Sequence, residues 1–206
     1  MVTHADFIKK KIQIPDHIDR LSIQPTVVLT SKTAVQAWME ISMLIKLDIK
    51  QYAVYCLALA TQNLAIQYGL NIAGIATNAS LLADVIVKDK SVHAVTFICG
   101  NLRRNELTDK LRESGILVQE IETYLTIHSP LKIEQTYNGV LFFSPSAVDS
   151  FLSINSNNLS ACFCLGKTTF NHARKSGYAE VYVAETHTPV SLVKTVIQHY
   201  KNKVHA

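Results

Sequence analysis

What the 206-residue chain lacks narrows its chemistry first. It has no G-x-G-x-x-G and no Walker A run, which disfavours a phosphate-cradling loop and a nucleotide-binding Rossmann domain. It has no G-x-S-x-G and no His beside a placed Cys or Ser, so no nucleophile with its base is visible. The eight histidines show no H-E-x-x-H or other ligand spacing, and the four cysteines (Cys56, Cys99, Cys162, Cys164) form no C-x-x-C, so no metal site is expected. Those cysteines lie in apolar, strand-like contexts and read as reduced core thiols of a cytoplasmic protein. No signal-peptide pattern and no apolar run of membrane-spanning length occur, so no membrane is expected. Aromatic residues make up only 8%, too few for a platform that stacks single-stranded nucleic acid. The net charge of +4 is mild and scattered; it suits an anionic ligand and provides no basic patch for nucleic acid. Charged residues are scarce at 17% while hydrophobic ones reach 48%, which excludes disorder and allows one large or two small domains.

What is present is an alternation of strands and helices, the pattern of parallel α/β sheets. Residues 1–25 are irregular: 4–14 alternate weakly as an exposed strand, Lys9-Lys10-Lys11 reads as a solvated edge, and 15–24 hold at most one helical turn. Strands are expected at 26–30, 52–57 and 70–75. Between and after them come a helix capped by Ser31, with Ala34, Val35, Trp38, Met39 and 42–45 inward, a helix over 60–68 stopped by Gly69, and a helix over 79–87 capped by Asn78. Phe97 to Tyr124 reads as strand, turn, helix, turn, strand: Gly100-Asn101 breaks the first strand, Leu107 and Leu111 share a helix face, and Gly115 ends the helix. Arg103 and Arg104 stand at the mouth of the turn, either as carboxylate contacts or as exposed helix-start charges. After Tyr124, residues 125–137 read as a polar connection. A second series follows: strands at 139–143, 161–165 and 180–184, with helices opened by Ser144-Pro145, stopped by Gly177, and opened by Pro189.

The two series repeat each other. Ser31-Lys-Thr-Ala-Val matches Ser144-Pro-Ser-Ala-Val 113 residues on, and Cys56 through Gly69 matches Cys164 through Gly177 at 108 residues. Spacings this long indicate duplicated lobes. In each lobe two strands end in hydroxyl-bearing turns: Thr30-Ser31 and Ala60-Thr61, then Ser144-Pro-Ser146 and Gly166-Lys167-Thr168-Thr169. One such turn is ordinary helix capping, but four at equivalent strand ends point to a ligand with several carboxylates, bound in a cleft between the lobes.

The ordered set of 29–35 (Leu-Thr-Ser-Lys-Thr-Ala-Val), Ala58-Leu-Ala-Thr61, Cys99-Gly-Asn-Leu-Arg-Arg104, Tyr124-Leu-Thr126, Phe142-Phe-Ser-Pro-Ser146, Gly166-Lys-Thr-Thr169 and Thr188-Pro189 resembles the uroporphyrinogen-III synthase family. The resemblance implies two similar parallel-sheet lobes joined by a two-stranded linker. The discontinuous first lobe and linkers would be 1–17 and 126–206, and the inserted second lobe 18–125. Phe7-Ile-Lys-Lys resembles the first linker, so the first lobe would lack its opening βα unit. The implied reaction is cyclisation of hydroxymethylbilane to uroporphyrinogen III with inversion of the terminal pyrrole ring, using no cofactor and no metal. Tyr124 maps to the proposed acid for hydroxyl departure; Thr30, Ser31, Thr61, Ser144, Thr168 and Thr169 are the implied substrate contacts, and Gly100, Asn101, Ser146 and Lys167 join them as candidates from their places at the same turns. Lys32 and Lys167 stand where the family often has other residues; they are extra carboxylate contacts or solvent lysines. The chain is expected to act as a cytoplasmic monomer without nucleic acid or membrane. The competing reading is a two-lobed module that binds a polycarboxylate or tetrapyrrole without turnover.

Overall fold

A computed structural model describes residues 8–156 and 161–204. Of the exposed strand expected over 4–14, residues 1–7 lie outside the described residues, and the observed strand β1 is Ile8–Ile12. The chain divides into two units, Lys10–Thr126 and Met1–Lys9 with Ile127–Ala206.

The 10–126 unit carries β2 (Thr26–Leu29), α1 (Lys32–Leu44), β3 (Ala53–Leu57), α2 (Ala60–Gln67), β4 (Ile72–Ala76), α3 (Ala79–Lys88), β5 (Ala94–Gly100), α4 (Glu106–Glu113) and most of β6 (Leu117–His128). Its sheet runs β1-β6-β5-β2-β3-β4, and the four pairings among β2 to β6 are parallel. The apolar run of β2 reflects burial on both faces. Val27 and Leu29 pack with Trp38 and Ile41 of α1 and Ala65 of α2, whereas Val28 packs with Leu82 and Ile86 of α3 and Leu107 and Leu111 of α4. From β2 the chain steps outward to β3 and β4, then returns to the other side of β2 for β5 and β6. The order therefore reverses between β2 and β5, and the crevice outside their C-terminal ends is where such sheets bind ligands.

The other unit holds β7 (Gly139–Phe142), α5 (Pro145–Leu152), β8 (Ala161–Cys164), α6 (Lys167–Lys175), β9 (Val181–Val183) and α7 (Pro189–Val204). Among the described residues its sheet has three parallel strands in sequence order. Phe142, Cys162 and Cys164 pack with α5 and α6 on one face, while Phe163 packs with Leu192 and Tyr200 of α7. Strand alternation thus puts both cysteines of β8 on one side, with their sulfurs 3.6 Å apart.

The repeat in the sequence corresponds to this architecture. β2 and β7 are 113 residues apart, and β3 and β8 begin 108 apart. Ser31 Oγ accepts from Ala34 N at 3.0 Å and Ser144 Oγ from Ala147 N at 3.3 Å, each cap worth about 1 kcal/mol. Gly69, Gly115 and Gly177 end α2, α4 and α6 with φ of 72°, 79° and 92°, the left-handed conformation that glycine adopts without a Cβ clash.

Two expectations need correcting. The inward stripe of α1 is interrupted within 42–45: Ser42 is buried and Ile45 packs against the core, but Met43 and Leu44 are 69% and 63% exposed, because successive helical residues turn by about 100°. Residues 125–137 are not wholly a connection, since β6 continues to His128. Leu125 and Ile127 alternate with Thr126 and His128 at the end of β6, which lies next to edge strand β1 in the six-stranded sheet.

Candidate functional site

Tyr124 owes its place to two irregularities. β5 and β6 pair regularly from Ala94↔Leu117 to Cys99↔Glu122, and then the register shifts so that Gly100 faces Tyr124. Without that bulge, alternation would put Tyr124 on the face opposite Ile121. The extra residue brings it to the same face, among the residues that pack with α1. There the ring takes the space a side chain at position 100 would need: a Cβ on Gly100 would lie 2.2 Å from Tyr124 Cε2. The ring is 8% exposed, and its hydroxyl lies 3.0 Å from Ser31 Oγ. Burial raises the Tyr124 pKa against the opposing effect of the Ser31 bond, so the phenol stays protonated through neutral pH. The nearby Cys99 thiol is pushed up to about 12 by burial and is likewise neutral.

Asn101 supports this corner. Its backbone N donates to Tyr124 O at 3.2 Å, and its Oδ1 accepts from Thr126 N at 2.8 Å. Gly100 is buried under the ring. Thr30 and Ser31 are half-buried at the end of β2. Thr61 lies in the first turn of α2 but is 6% exposed, turned inward. The residue before α2, Leu59, has φ 64° and is 70% exposed.

In the other unit, Ser144 Oγ and Ser146 Oγ are 3.1 Å apart at the end of β7. At the end of β8, Gly166 precedes α6 without a side-chain cap. Lys167 and Thr168 are exposed, while Thr169 is 4% exposed, as inward as its counterpart Thr61. Beyond β9, Thr188 Oγ accepts from Ser191 N at 3.2 Å and caps α7. One residue here escaped sequence reasoning: a Cβ on Gly166 would lie 2.7 Å from His187 Nδ1, so an imidazole rests on this glycine. The available signal was its position between Thr186 and Thr188, just before Pro189.

The alternatives for Arg103 resolve toward structure. Its Nε bonds Glu120, its Nη1 lies 3.7 Å from Glu122 Oε2, and Arg112 Nη2 reaches the other Glu120 oxygen at 2.7 Å. Arg104 is exposed. Lys9, Lys10 and Lys11 are all exposed on β1, and Lys10 Nζ sits 5.4 Å from the Tyr124 ring centroid. Among the described residues no three His, Cys, Asp or Glu converge as metal ligands, and no helix is long and apolar enough to cross a membrane.

The family model described as uroporphyrinogen-III synthase HemD matches residues 2–194. The chain is 30% identical to the uroporphyrinogen-III synthase of Saccharomyces cerevisiae over 60% of its own length, and spans about half the length of that curated relative (50%). Among solved structures, it resembles uroporphyrinogen-III synthetase from Helicobacter pylori with a TM-score of 0.73 at 15% identity, covering 94% of this chain and 91% of that one. A mutant uroporphyrinogen III synthase from Thermus thermophilus follows with a TM-score of 0.67 at 14% identity, covering 95% and 88%. At those identities the structural likeness concerns the fold, while the family match extends over most of the sequence. The chain belongs to the uroporphyrinogen-III synthase family.

Proposed function

We propose that this protein is a uroporphyrinogen-III synthase, a cyclising hydro-lyase of haem biosynthesis that converts hydroxymethylbilane to uroporphyrinogen III. The observation that carries the reading, within the family assignment, is a phenol held protonated at the strand-order reversal, its hydroxyl 3.0 Å from Ser31 Oγ. Tyr124 supplies the proton as the substrate hydroxyl departs as water, leaving an azafulvene. The substituted carbon of the terminal pyrrole attacks the azafulvene carbon and forms a spiro intermediate. Fragmentation and reclosure invert that ring. A phenol is suited to this role because the leaving oxygen needs a proton while no strong base or nucleophile is required. Most of the remaining work is holding a flexible bilane so that its ends meet.

In this reading Thr30 and Ser31 at the end of β2, and Ser144, Ser146, Lys167 and Thr168 at the ends of β7 and β8, contact the carboxylate-bearing substrate. Gly100 and Asn101 act behind Tyr124, one admitting its ring and the other holding β6. Thr61 and Thr169 shape the first turns of α2 and α6. The proposal includes a cytoplasmic setting, supported by four free, buried cysteines, and a monomer, which sedimentation velocity checks. The test is incubation with freshly made hydroxymethylbilane followed by chromatographic separation of the porphyrin isomers. Type III product in excess of the spontaneous reaction is expected; type I alone overturns the reading.

A further inference from the structure

Of the three consecutive lysines on β1, Lys10 is set apart by strand alternation. Ile8, Lys10 and Ile12 share one face, and Ile12 packs against the apolar cluster that holds Tyr124. Lys10 Nζ accordingly lies 5.4 Å from the centroid of the Tyr124 ring, within range of a cation–π contact. A second lysine begins the helix beside the same phenol: Lys32, exposed in the first turn of α1, follows Ser31, whose Oγ is 3.0 Å from the Tyr124 hydroxyl. The two charges act on each other, since Lys32 lowers the Lys10 pKa after desolvation has done so.

Among the described residues no carboxylate forms an ion pair with Lys10 or Lys32. The acidic groups of this unit that form ion pairs are engaged elsewhere, Glu120 and Glu122 with Arg103 and Arg112, and Asp84 with Lys110. Asp89 takes the Tyr55 hydroxyl at 2.6 Å. One ammonium therefore stands over the Tyr124 ring and a second lysine opens the helix whose cap bonds its hydroxyl, without an ion-pair partner among the described residues, an arrangement that an arriving anion relieves.

We propose that Lys10 and Lys32 form a receptor for one carboxylate of the substrate and so orient the bilane against Tyr124. The proposal rests on the polycarboxylate substrate of the preceding reading. Each ammonium offers a compact charge with three donors, so a carboxylate bridging the two is held by charge-assisted hydrogen bonds. The carboxylate takes no part in the bonds that change, so the receptor acts on substrate binding more than on the chemical step.

The experiment compares Lys10→Gln, Lys32→Gln and Lys10→Arg with Lys9→Gln and Lys11→Gln. Two readouts are used: steady-state kinetics with hydroxymethylbilane, and equilibrium binding of uroporphyrin III followed by porphyrin fluorescence. Lys10→Gln and Lys32→Gln are each expected to raise KM and weaken porphyrin binding by roughly 10-fold, with a much smaller effect on kcat. Lys10→Arg restores binding, and Lys9→Gln and Lys11→Gln bind as the parent does. The proposal is overturned if neither Lys10→Gln nor Lys32→Gln weakens binding, if the Lys9 and Lys11 variants weaken it equally, or if the parent protein binds no porphyrin. Type III product from the parent with unchanged binding by Lys10→Gln overturns the receptor alone. Weakened porphyrin binding by Lys10→Gln in a protein that makes no type III product overturns the activity and upholds the receptor.

Discussion

The strand ends of the two units are built to one plan and filled differently. In each, a serine caps the helix after the first strand, and in each a ring rests on a glycine at a strand end. In the 10–126 unit the ring is Tyr124 on Gly100, 8% exposed and tied at its hydroxyl to Ser31. In the other unit it is His187 on Gly166, and that histidine is exposed. The first arrangement sits at a reversal of strand order, where β5 and β6 supply a bulge and a neighbouring glycine together. The second sits on three strands in sequence order. The difference teaches that the repeat brings capped turns to both units, whereas holding the Tyr124 ring in place requires two further strands.

The sharpest way to break the comparison is to fill each glycine. Gly100→Ala puts a methyl 2.2 Å from the buried Tyr124 ring, so the ring must leave; we expect loss of type III product and destabilisation of about 2 kcal/mol. Gly166→Ala meets an exposed His187 that can swing into solvent, and stability should stay within about 0.5 kcal/mol of the parent. Urea melts read against the isomer assay decide this, and equal effects would erase the distinction between a fixed and a free ring. Next in size, Tyr124→Phe keeps the ring and removes the proton. It should lower kcat roughly 100-fold while leaving residual turnover from substrate positioning; turnover at the parent rate would show that Tyr124 is not the acid.

The paired serines separate capping from contact with the tyrosine. Ser144→Ala loses a cap, costing about 1 kcal/mol. Ser31→Ala loses the same cap and the bond to Tyr124, for a total of about 2 kcal/mol. Matching denaturation midpoints would mean that the Ser31–Tyr124 bond contributes nothing to stability. The smallest effect concerns thiols. Burial pushes Cys56 up to about 11 and Cys99 up to about 12, against about 8.5 in an unfolded chain. Their raised folded values contribute stability that is complete below about pH 8.5 and is lost as pH climbs through the folded range. The urea midpoint should therefore decline above about pH 8.5, and Cys56→Ala with Cys99→Ala should flatten that decline.

Much of the fold was legible because its signals are local. Ser31, Asn78 and Ser144 could be read as caps, and Gly69, Gly115 and Gly177 as stops, since each acts on backbone within a few residues. The candidate site was legible only in part. Tyr124 was picked out by resemblance, but the bulge that turns it toward α1 depends on the register of β5, and no residue of β6 announces it. Arg103 stayed divided between two roles because its partner Glu120 is 17 residues away in the chain. Thr61 and Thr169 read as candidate substrate contacts in helix-opening turns, and how far each is buried is set by packing that the turn sequence does not carry. The three lysines of β1 are exposed, as a solvated edge requires, but the ring under the Lys10 ammonium comes from a strand distant in sequence.

By itself the sequence determined the order of strands and helices, the capped and glycine-stopped helix ends, and the repeat behind the two units. Hydrophobic periodicity, caps and left-handed glycines act over one or two turns of chain and need no distant partner. Only the tertiary structure decided which face Tyr124 occupies, what lies beneath it at Gly100, and which lysine of three stands over it. Those outcomes follow from register between strands distant in sequence, where a shift of one residue exchanges the faces of a sheet.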